Sequence, residues 1–337
     1  MSAQADPAAP LLQVKGLKKH FPLGGGWLGA PRKVHAVDGV DFELARGETL
    51  SIVGESGCGK STVGRAVLRL IEPTAGEIRL EGRRIDNLSP ARLRPLRRRV
   101  QVVFQDPFSS LNPRMRVREI LAEPIRNFEP GIAASRLRER TAELLDQVRL
   151  PADSLERYPH EFSGGQRQRI GIAKALAPKP DLIVCDEAVS ALDVSVKAQV
   201  VNLFRDIQQE LGLALLFISH DLAIVEYLTH RVAVMYLGKI VEHGERRDLF
   251  ADPRHPYTRA LLSAVPVPDP TASRQRIVLK GDIPSPIDIP SGCRFRTRCP
   301  FAFARCAIEE PQLDPVGATG HFAACHLNDG SAGMQPT

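Results

Sequence analysis

The sequence predicts an α/β fold, in which buried strands of a parallel sheet alternate with helices. An apolar run at residues 50–53 is followed by a glycine-rich loop and then by helical apolar spacing at 61–70. A second run, LIVCD at 182–186, is the short continuous kind that is typical of a strand buried on both faces. The next helix carries its apolar residues on one face and leads into another apolar run at 214–219. This alternation is the order of an α/β protein.

Length and composition narrow the class of protein. The 337 residues suffice for one large domain or two modest ones, and 43% apolar with 25% charged residues excludes a fibrous or wholly disordered chain. The net charge of +6 fits an anionic ligand, a membrane surface or nucleic acid equally well. No apolar run reaches the roughly 18 to 20 residues of a membrane span, so we predict that the chain does not cross a bilayer by itself. The start shows no secretory signal, so we expect a reducing compartment and no disulfides among the six cysteines.

The ends of the chain differ from its middle. We predict a β-rich start, with strands at 11–14 and about 34–44 and a glycine-rich loop or hairpin insertion at 24–32. After Val265 the prolines are dense enough to deny regular helix or strand interiors, so we place a domain boundary there. The remainder, 266–337, contains four of the six cysteines. We predict that it is a small appendage whose core is too small to be stable without a metal or another cross-link.

The strongest motif is GESGCGKS at residues 54–61, which matches GxxxxGKS and lies between a predicted strand and a predicted helix. We predict that backbone N–H groups of this P-loop cradle phosphate oxygens at the positive end of the helix. Lys60 then reaches the β and γ phosphates, and the Ser61 hydroxyl binds Mg²⁺. A plain glycine-rich turn is the alternative, which the flanking elements disfavour. The predicted nucleotide-binding residues here are Gly54, Glu55, Ser56, Gly57, Cys58, Gly59, Lys60, Ser61 and Thr62.

Two acidic residues end the LIVC run. The carboxyl end of a parallel strand faces the crevice where nucleotides bind, so we predict that Asp186 holds Mg²⁺ through water. Glu187 is the candidate general base for the attacking water, and a surface acid in a turn is the alternative.

A second anion-binding helix start is predicted at FSGGQRQR, residues 162–169, just before a helical apolar pattern. SGGQ between a P-loop and an acidic strand end resembles the signature motif of ATP-binding-cassette (ABC) ATPases, and the resemblance covers residues 11 to about 250. It adds Ser163, Gly164, Gly165 and Gln166 to the predicted ATP-binding residues.

The resemblance implies a fold and a domain order. We expect a P-loop ABC nucleotide-binding domain at 1–265, with a RecA-like core, a β-rich subdomain and a helical subdomain at about 106–177. A small cysteine-rich C-terminal domain of the oligopeptide-transporter type is expected at 266–337.

The resemblance also implies roles for residues outside the P-loop. Gln105 is similar to the Q-loop glutamine that contacts Mg²⁺ and senses the transmembrane partner, and Asp193 in SALD is similar to the D-loop. His220 resembles the switch histidine that contacts the γ-phosphate. A lone histidine after a strand is more often structural, and the companion motifs favour the catalytic interpretation.

Phe21 stands where the family stacks an aromatic ring on adenine, although Trp27 and His35 flank a loop insertion and compete with it. Because no expected catalytic residue type is missing, we predict a competent ATPase. In the family two such subunits pack head to tail, so each ATP lies between one subunit's P-loop and the other's SGGQ.

Longer stretches indicate the branch of the family. FQDPFSSLNPRM, RYPHEFSGGQRQRIGIAKAL, CDEAVSALDVSVKAQ and HPYTRALLSAVP resemble the ATP-binding subunits of oligopeptide, dipeptide and nickel importers, and HFPLGGGWLG resembles the F-type subunit. This implies peptide import through two transmembrane permease subunits, with a second ABC ATPase subunit in a preferred heterodimer and an extracytoplasmic solute-binding protein. It also implies a peripheral position on the cytoplasmic face of the inner membrane.

Two other functions remain open. An ABC subunit for nickel or glycoside import, or for peptide export, would use the same ATPase motifs. A nucleic-acid or ribosome-associated ABC ATPase is a remote alternative, because such proteins commonly carry two cassettes or a long insertion. We therefore expect no nucleic-acid partner.

Four cysteines, Cys293, Cys299, Cys306 and Cys325, are separated by five, six and eighteen residues. Thiolates suit iron–sulfur clusters or zinc, so we predict a metal site. The spacing and the importer resemblance favour a 4Fe-4S cluster over zinc or free thiols. By contrast, Cys185 lies within an apolar run and is interpreted as an inert core thiol.

Overall fold

The computed structural model describes residues 9–24, 32–106, 110–265, 277–317 and 320–329. The predicted glycine-rich insertion, including Trp27, therefore lies almost wholly outside the described residues. Within the described ranges, no helix combines the length and the apolar character that a bilayer-spanning segment needs.

Strands and helices alternate in the described chain as predicted. The strands are β1 (Leu12–Leu23), β2 (Arg32–Leu44), β3 (Thr49–Val53), β4 (Ala75–Leu80), β5 (Arg83–Arg84), β6 (Val100–Val103), β7 (Leu182–Asp186), β8 (Ala214–Ser219), β9 (Arg231–Tyr236), β10 (Lys239–Glu245), β11 (Asp314–Pro315) and β12 (Phe322–Ala323). The helices are α1 (Lys60–Val67), α2 (Pro90–Leu93), α3 (Val117–Phe128), α4 (Ala134–Gln147), α5 (Gly164–Leu176), α6 (Val194–Leu211), α7 (Leu222–Leu228), α8 (Arg246–Ala251), α9 (Pro256–Ser263) and α10 (Ala304–Ile308).

The chain forms two compact units and contributes several segments to each. The first unit comprises Met1–Leu12, Leu44–Thr49 and Arg79–Ser219, and the second comprises Gln13–Glu43, Leu50–Ile78 and His220–Thr337. The P-loop and the cysteine-rich segment thus belong to the second unit, whereas the acidic strand end and SGGQ belong to the first.

In the first unit, β6, β7 and β8 form a parallel arrangement, with Val100 paired to Leu182 and Leu182 paired to Ala214. Every residue of β7 and β8 is buried, which explains why their sequences are continuously apolar. Helix α6 buries one apolar face and ends at Gly212 in the left-handed conformation. The strands predicted at 182–186 and 214–219 are therefore confirmed.

Three helices of the first unit, α3, α4 and α5, pack against one another. Helix α3 begins where the Arg116 N–H donates a hydrogen bond to the Glu119 carboxylate (2.9 Å). It contains Pro124 in its interior, and it buries Ile120 and Leu121. Its sequence did not predict a distinct helix, because the proline interrupts an otherwise helical pattern.

In the second unit, β9 runs parallel to β3, and β10 runs antiparallel to β9. Strand β12 pairs with β10 through Glu242 and Ala323, and β11 pairs with β12. A separate sheet of this unit has the order β2, β1, β4. The C-terminal segment, defined here as the described residues after 276, therefore extends the sheet that contains the P-loop strand.

The core of the second unit joins the C-terminal segment to the nucleotide-binding strands. The rings of Tyr236, Tyr257 and Phe295 are fully buried, and their centroids are 4.7 to 5.4 Å apart. Val53 of β3 lies in the same apolar cluster. The C-terminal segment thus shares a core with β3 and β9.

Candidate active site

The P-loop conformation depends on two glycines that are held against neighbouring backbone. Gly54 has φ 150°, and a Cβ there would collide with the carbonyl oxygen of Met235. Gly59 has φ 110°, and a Cβ there would collide with the carbonyl oxygen of Ala36. Glycine is required at both positions, because any side chain would be strained and obstructed. Strands β9 and β2 therefore fix the path of the loop.

Lys60 lies at the centre of the loop and is 4% exposed. Its Nζ donates hydrogen bonds to the carbonyl oxygens of Gly54 (2.8 Å) and Glu55 (2.9 Å). Helix α1 begins at Lys60 and has no acidic residue in its first turn, which also contains Ser61 and Thr62. An ammonium group and the positive end of a helix thus meet in one loop, which is the arrangement that binds phosphate. All predicted P-loop residues, 54–62, lie in this continuous loop and helix start.

Two cysteines near these motifs are buried and unreactive. Burial raises the pKa of the Cys58 thiol, whose Sγ lies 3.9 Å from the Lys60 Nζ. The Cys58 carbonyl accepts a hydrogen bond from the Gly238 N–H (2.9 Å), which fastens the loop to the turn after β9. Burial likewise raises the pKa of the Cys185 thiol. Both thiols therefore stay protonated near neutral pH and act as packing groups.

The two predicted catalytic acids lie at the carboxyl end of β7. Asp186 is buried, as the last residue of the strand. Glu187 adopts φ 51°, a left-handed conformation that is rare for a residue other than glycine and concentrates at functional sites. Its N–H donates to the Ile218 carbonyl (3.0 Å), and the Ser190 hydroxyl donates to the Glu187 carbonyl (2.9 Å). These bonds hold Glu187 at the carboxyl edge of β7 and β8.

Gln105 lies at the same edge, because β6 runs beside β7. Val103 is paired with Cys185, so Gln105 follows β6 by two residues at the level where β7 ends. The Phe104 carbonyl accepts a hydrogen bond from the Gln168 side chain of α5 (3.3 Å). The first unit therefore brings Gln105, Asp186 and Glu187 together, while Gln105 itself stays exposed.

The signature motif forms the start of α5, and the side chains of Ser163 and Gln166 cap this end of the helix. The Gln166 N–H donates to the Ser163 hydroxyl (3.3 Å), and the Ser163 N–H donates to the Gln166 side chain (3.0 Å). Ser163 and Gly164 are exposed, whereas Gly165 is buried, and a Cβ on Gly165 would collide with the Val196 side chain of α6. An intact capping box thus presents the N-terminal end of α5 to the surface.

The structure also describes three further predicted residues. Asp193 precedes α6 and accepts the Lys197 N–H on its carbonyl (2.8 Å). In the second unit, Phe21 is 38% exposed near the end of β1, with the Lys19 Nζ 4.8 Å from its ring centroid. His220 is exposed, and the following Asp221 caps α7.

The four predicted metal-binding cysteines are gathered in the C-terminal segment. The Cys293 N–H donates to the Cys306 carbonyl (2.8 Å), and a Cβ on Gly292 would collide with that carbonyl, so glycine permits the close approach. Burial, with a smaller contribution from the neighbouring thiols, raises the pKa of Cys299 to about 11 and of Cys325 to about 12. All six cysteines of the chain are free.

Sequence reasoning missed two residues that contact the P-loop. Arg298 donates to both carboxylate oxygens of Glu55 (2.6 and 3.0 Å). The Glu55 N–H donates to the Tyr257 hydroxyl oxygen (2.8 Å). Their positions, beside Cys299 and within HPYT, gave no signal that they reach a loop more than 200 residues away.

A P-loop with a buried lysine, an acidic strand end and a second glycine-rich helix start define the class: a P-loop ATPase of the ABC type. Residues 37–190 match the family model described as ABC transporter. Residues 241–306 match the model described as oligopeptide/dipeptide transporter, C-terminal region.

Comparisons with individual proteins agree. The chain is 58% identical over 316 residues to a putative peptide import ATP-binding protein of Brucella ovis, which covers 94% of this chain and 97% of that protein. It is 49% identical over 330 residues to the oligopeptide transport ATP-binding protein OppF of Escherichia coli, covering 96% and 98%. Among solved structures, the dimeric ATP-binding cassette MJ0796 bound to ADP and Pi is similar at a TM-score of 0.63 and 26% identity, over 70% of this chain and 99% of that one.

The chain therefore belongs to the ABC transporter family of ATP-binding proteins, and it is an ATPase. The resemblance drawn from the motifs is confirmed, as is the α/β P-loop ABC fold.

Proposed function

We propose that this ATPase powers the import of di- or oligopeptides through partner transmembrane permeases. The observation that carries the proposal is the match to relatives named for peptide import and oligopeptide transport over nearly the full length of both chains. The oligopeptide/dipeptide transporter region at 241–306 supports the same substrate class. We also propose a helical subdomain at about 106–177 and a C-terminal domain after Val265, whose described residues pack on the core of the second unit.

The predicted site residues have distinct roles in binding ATP and Mg²⁺. Backbone N–H groups of the P-loop and the Lys60 ammonium bind the β and γ phosphates, and Phe21 stacks on adenine. Ser61, Gln105 and Asp186 hold Mg²⁺, which, when bound, neutralises charge on the phosphate oxygens. The fit is supported by the acid-free first turn of α1 and the buried carboxylate of Asp186.

Hydrolysis needs a base and a sensor of the γ-phosphate. Glu187 accepts the proton of the attacking water, and His220 contacts the γ-phosphate. The hydrogen bonds to Ile218 and from Ser190 that fix the Glu187 backbone support this role, since they hold the residue in a strained conformation at the strand end.

The ATP site is completed by a second subunit. Ser163 and Gly164 are exposed at a helix start that faces solvent, which fits a surface that receives the γ-phosphate bound to another subunit. Asp193 lies next to Val194, which is 83% exposed and fits the same interface. Bound ATP adds contacts across such an interface and hydrolysis removes them, so the cycle alternates two states of the permeases.

The assembly we propose contains a second ABC ATPase subunit, preferably different from this chain, two permease subunits and an extracytoplasmic solute-binding protein. The chain is then peripheral on the cytoplasmic face of the inner membrane. Nucleic acid is not a partner in this assembly.

We also propose that the four-thiol group, Cys293, Cys299, Cys306 and Cys325, holds a 4Fe-4S cluster. Backbone N–H groups of Phe295, Phe301 and Leu327 hydrogen-bond to three of the sulfur atoms, as is typical of cluster ligands. Thiolates so close together repel one another, and a bound cationic centre removes that repulsion.

The separation of the sulfur atoms favours a cluster over a single zinc ion. Four sulfurs at about 2.3 Å from one tetrahedral zinc lie within about 4 Å of one another. Among the described residues, the one group of three potential ligand atoms within 4.8 Å of one another is His20, His35 and Asp38, so the four sulfurs are less closely gathered than a single zinc ion requires. A polynuclear cluster holds its thiolates further apart.

Metal analysis tests the four-thiol proposal. Protein purified without oxygen should be brown, with four iron and four sulfide per chain, as the name 4Fe-4S requires. Cys299→Ser should lower the iron content, and the matched control Cys185→Ser, in the core of the first unit, should keep it. Stoichiometric zinc in the unmodified chain would reject the cluster.

Affinity purification tests the transport function. Tagged Glu187→Gln chain is recovered with ATP from detergent-solubilised native membranes, and the accompanying proteins are identified by mass spectrometry. We expect two permeases, a second ATP-binding subunit and a solute-binding protein, and this last protein should bind di- or oligopeptides. A binding protein that takes nickel or a glycoside contradicts the peptide assignment, and recovery of ribosomes without permeases contradicts import altogether.

A further inference from the structure

The P-loop of this chain contains a carboxylate. Glu55 directly follows Gly54, in a loop whose function is to bind polyanionic phosphate. An unpaired carboxylate so close to a triphosphate repels it, because charge interactions in a partly enclosed site are screened less than in water. ATP binding therefore requires that the charge of Glu55 be compensated.

Arg298 of the C-terminal segment compensates this charge. Its guanidinium makes a bidentate pair with Glu55, at 2.6 and 3.0 Å, and the Arg298 side chain is 7% exposed. The guanidinium also lies 6.0 Å from the ring centroid of Tyr236. A planar fork matches a carboxylate in both charge and geometry.

The pair also fixes the backbone of the loop. The Tyr257 hydroxyl accepts the Glu55 N–H at 2.8 Å, and the Tyr257 ring is fully buried against Tyr236 and Phe295. Glu55 is therefore held at its amide and at its carboxylate. Its carbonyl in turn accepts a hydrogen bond from Lys60, so the position of Glu55 affects the phosphate-binding ammonium.

A second arginine of the C-terminal segment holds the strand beside the P-loop. Arg294 donates to the Asp38 carboxylate (2.5 Å) and to the Leu237 carbonyl (2.7 Å). Asp38 lies on β2, two residues after Ala36, whose carbonyl limits Gly59. Burial opposes ionisation of Asp38, but Arg294 lowers its pKa to about 2. The Arg298–Glu55 pair thus contacts the P-loop itself, and the Arg294–Asp38 pair holds the strand beside the loop.

We propose that Arg298 is a positioning residue for ATP binding, which neutralises Glu55 and orients the P-loop, so that the C-terminal segment sets the nucleotide affinity. This inference rests on the ATPase activity and requires neither the peptide substrate nor the metal cluster.

The test measures ATP binding and turnover in full-length chains within the assembled transporter. Arg298→Gln should raise Kd and KM for ATP about tenfold with kcat within about twofold, because the unpaired carboxylate opposes the bound triphosphate. The double variant Arg298→Gln with Glu55→Gln should recover most of that loss, since the repelling charge is gone.

The chain offers a matched control. Arg305 also precedes a cysteine, and it makes a bidentate pair with Glu309 at 2.7 and 3.1 Å, but the structure gives it no P-loop contact. Arg305→Gln should leave KM for ATP unchanged. An unchanged KM in Arg298→Gln, or a double variant as weak as the single one, contradicts the proposal.

Folding is monitored by thermal denaturation. If Arg298→Gln does not fold, Arg298→Lys is measured in its place. Its ammonium group keeps the positive charge but cannot make both hydrogen bonds to the Glu55 carboxylate. We expect it to raise KM for ATP about threefold and to be rescued less by Glu55→Gln. A KM equal to that of the unmodified chain then contradicts the positioning role.

Discussion

The two glycine-rich helix starts of this chain, at α1 and at α5, are built for anions in different ways. At α1 the glycines are locked against neighbouring backbone, and Lys60 is buried with two carbonyl partners. At α5 the start is exposed, and Ser163 and Gln166 cap each other. The α1 start is a phosphate-binding loop that is fully formed within one unit, whereas the α5 start is an exposed surface.

Because of this difference, we expect ATP binding and ATP hydrolysis to depend on different residues. We propose that the P-loop and its neighbours set ATP affinity, and that hydrolysis also requires the α5 start of another subunit. Variants at α1 should therefore change ATP affinity, variants at α5 should change turnover in the assembled transporter, and variants at Glu187 should change the chemical step.

The largest effect is expected at the base. Glu187→Gln should lower ATP hydrolysis by about 10² to 10⁴, the usual contribution of a general base, because the amide cannot accept the proton of water. ATP affinity should stay within about threefold, since the P-loop is intact. Steady-state hydrolysis and nucleotide titration measure the two quantities, with exposed Glu210→Gln as control. Unchanged hydrolysis in the assembled complex would show that another group is the base.

The second effect is expected at the P-loop. Lys60→Ala should weaken ATP binding about 100-fold, because it removes a buried charge that the phosphates would meet. Titration with a fluorescent ATP analogue measures the change, and Lys15→Ala on the exposed side of β1 is the control. Tight ATP binding by the Lys60 variant would mean that backbone groups alone bind the phosphates. The buried lysine would then not be what distinguishes the α1 start from the α5 start.

The third effect sharpens the role of the exposed start. Gly164→Asp places a carboxylate at the first position of α5, where negative charge stabilises the helix; a Cβ there would lie 3.8 Å from a Leu192 methyl, an ordinary contact. The folded chain should bind ATP with unchanged affinity, but hydrolysis in the assembled transporter should fall about 100-fold, through repulsion of the partner's nucleotide.

The neutral variant Gly164→Ser separates charge from bulk and should retain most of the activity. Equal losses in both variants would show that space, not an anion, decides at this position. A loss of ATP affinity in the isolated Gly164→Asp chain would mean that α5 belongs to the pocket of its own subunit.

The smallest effect concerns acid stability of the second unit. His255 is fully buried, its Nδ1 accepts the Tyr257 N–H (3.1 Å), and burial lowers its pKa to about 4. The unfolded chain binds this proton near pH 6.5, so the stabilisation is complete above pH 6.5 and is lost as the pH falls towards 4. The free energy of unfolding should drop by about 1.4 kcal/mol per pH unit from this group.

Denaturant titrations at pH 7.0, 6.0 and 5.0 measure that slope. His255→Asn keeps a cap for α9 and should flatten this slope, although half-buried His243, whose pKa burial also lowers to about 4, retains part of it. Exposed His160→Asn in the first unit serves as control. An unchanged slope in His255→Asn would assign the acid sensitivity to other groups.

Features that depend on neighbouring residues were predictable from the sequence. The P-loop, β7, β8 and α6 follow from motif or apolar periodicity within about 20 residues, and the structure has each of them where it was predicted. The sequence also placed Asp186 and Glu187 at the carboxyl end of a buried parallel strand, and the first unit brings Gln105 to the same edge.

Features that depend on distant residues were not predictable. β11 and β12 have two residues each, too few for any periodicity. The pair between Arg298 and Glu55 spans 243 positions, and only the fold brings them into contact. The left-handed Glu187 backbone is stabilised by Ile218 and Ser190, so its own residue type gave no signal.

We propose that one chain contains a complete ATP-binding loop and an incomplete hydrolytic site. The most direct test measures ATP affinity and ATP turnover on the same full-length chain, first alone at concentrations where sedimentation shows a monomer, then with its second ATP-binding subunit. We expect ATP binding in both states, tighter with the second subunit because bound ATP adds contacts across the interface, and turnover that appears only with the second subunit. Full turnover by the monomer would contradict this proposal.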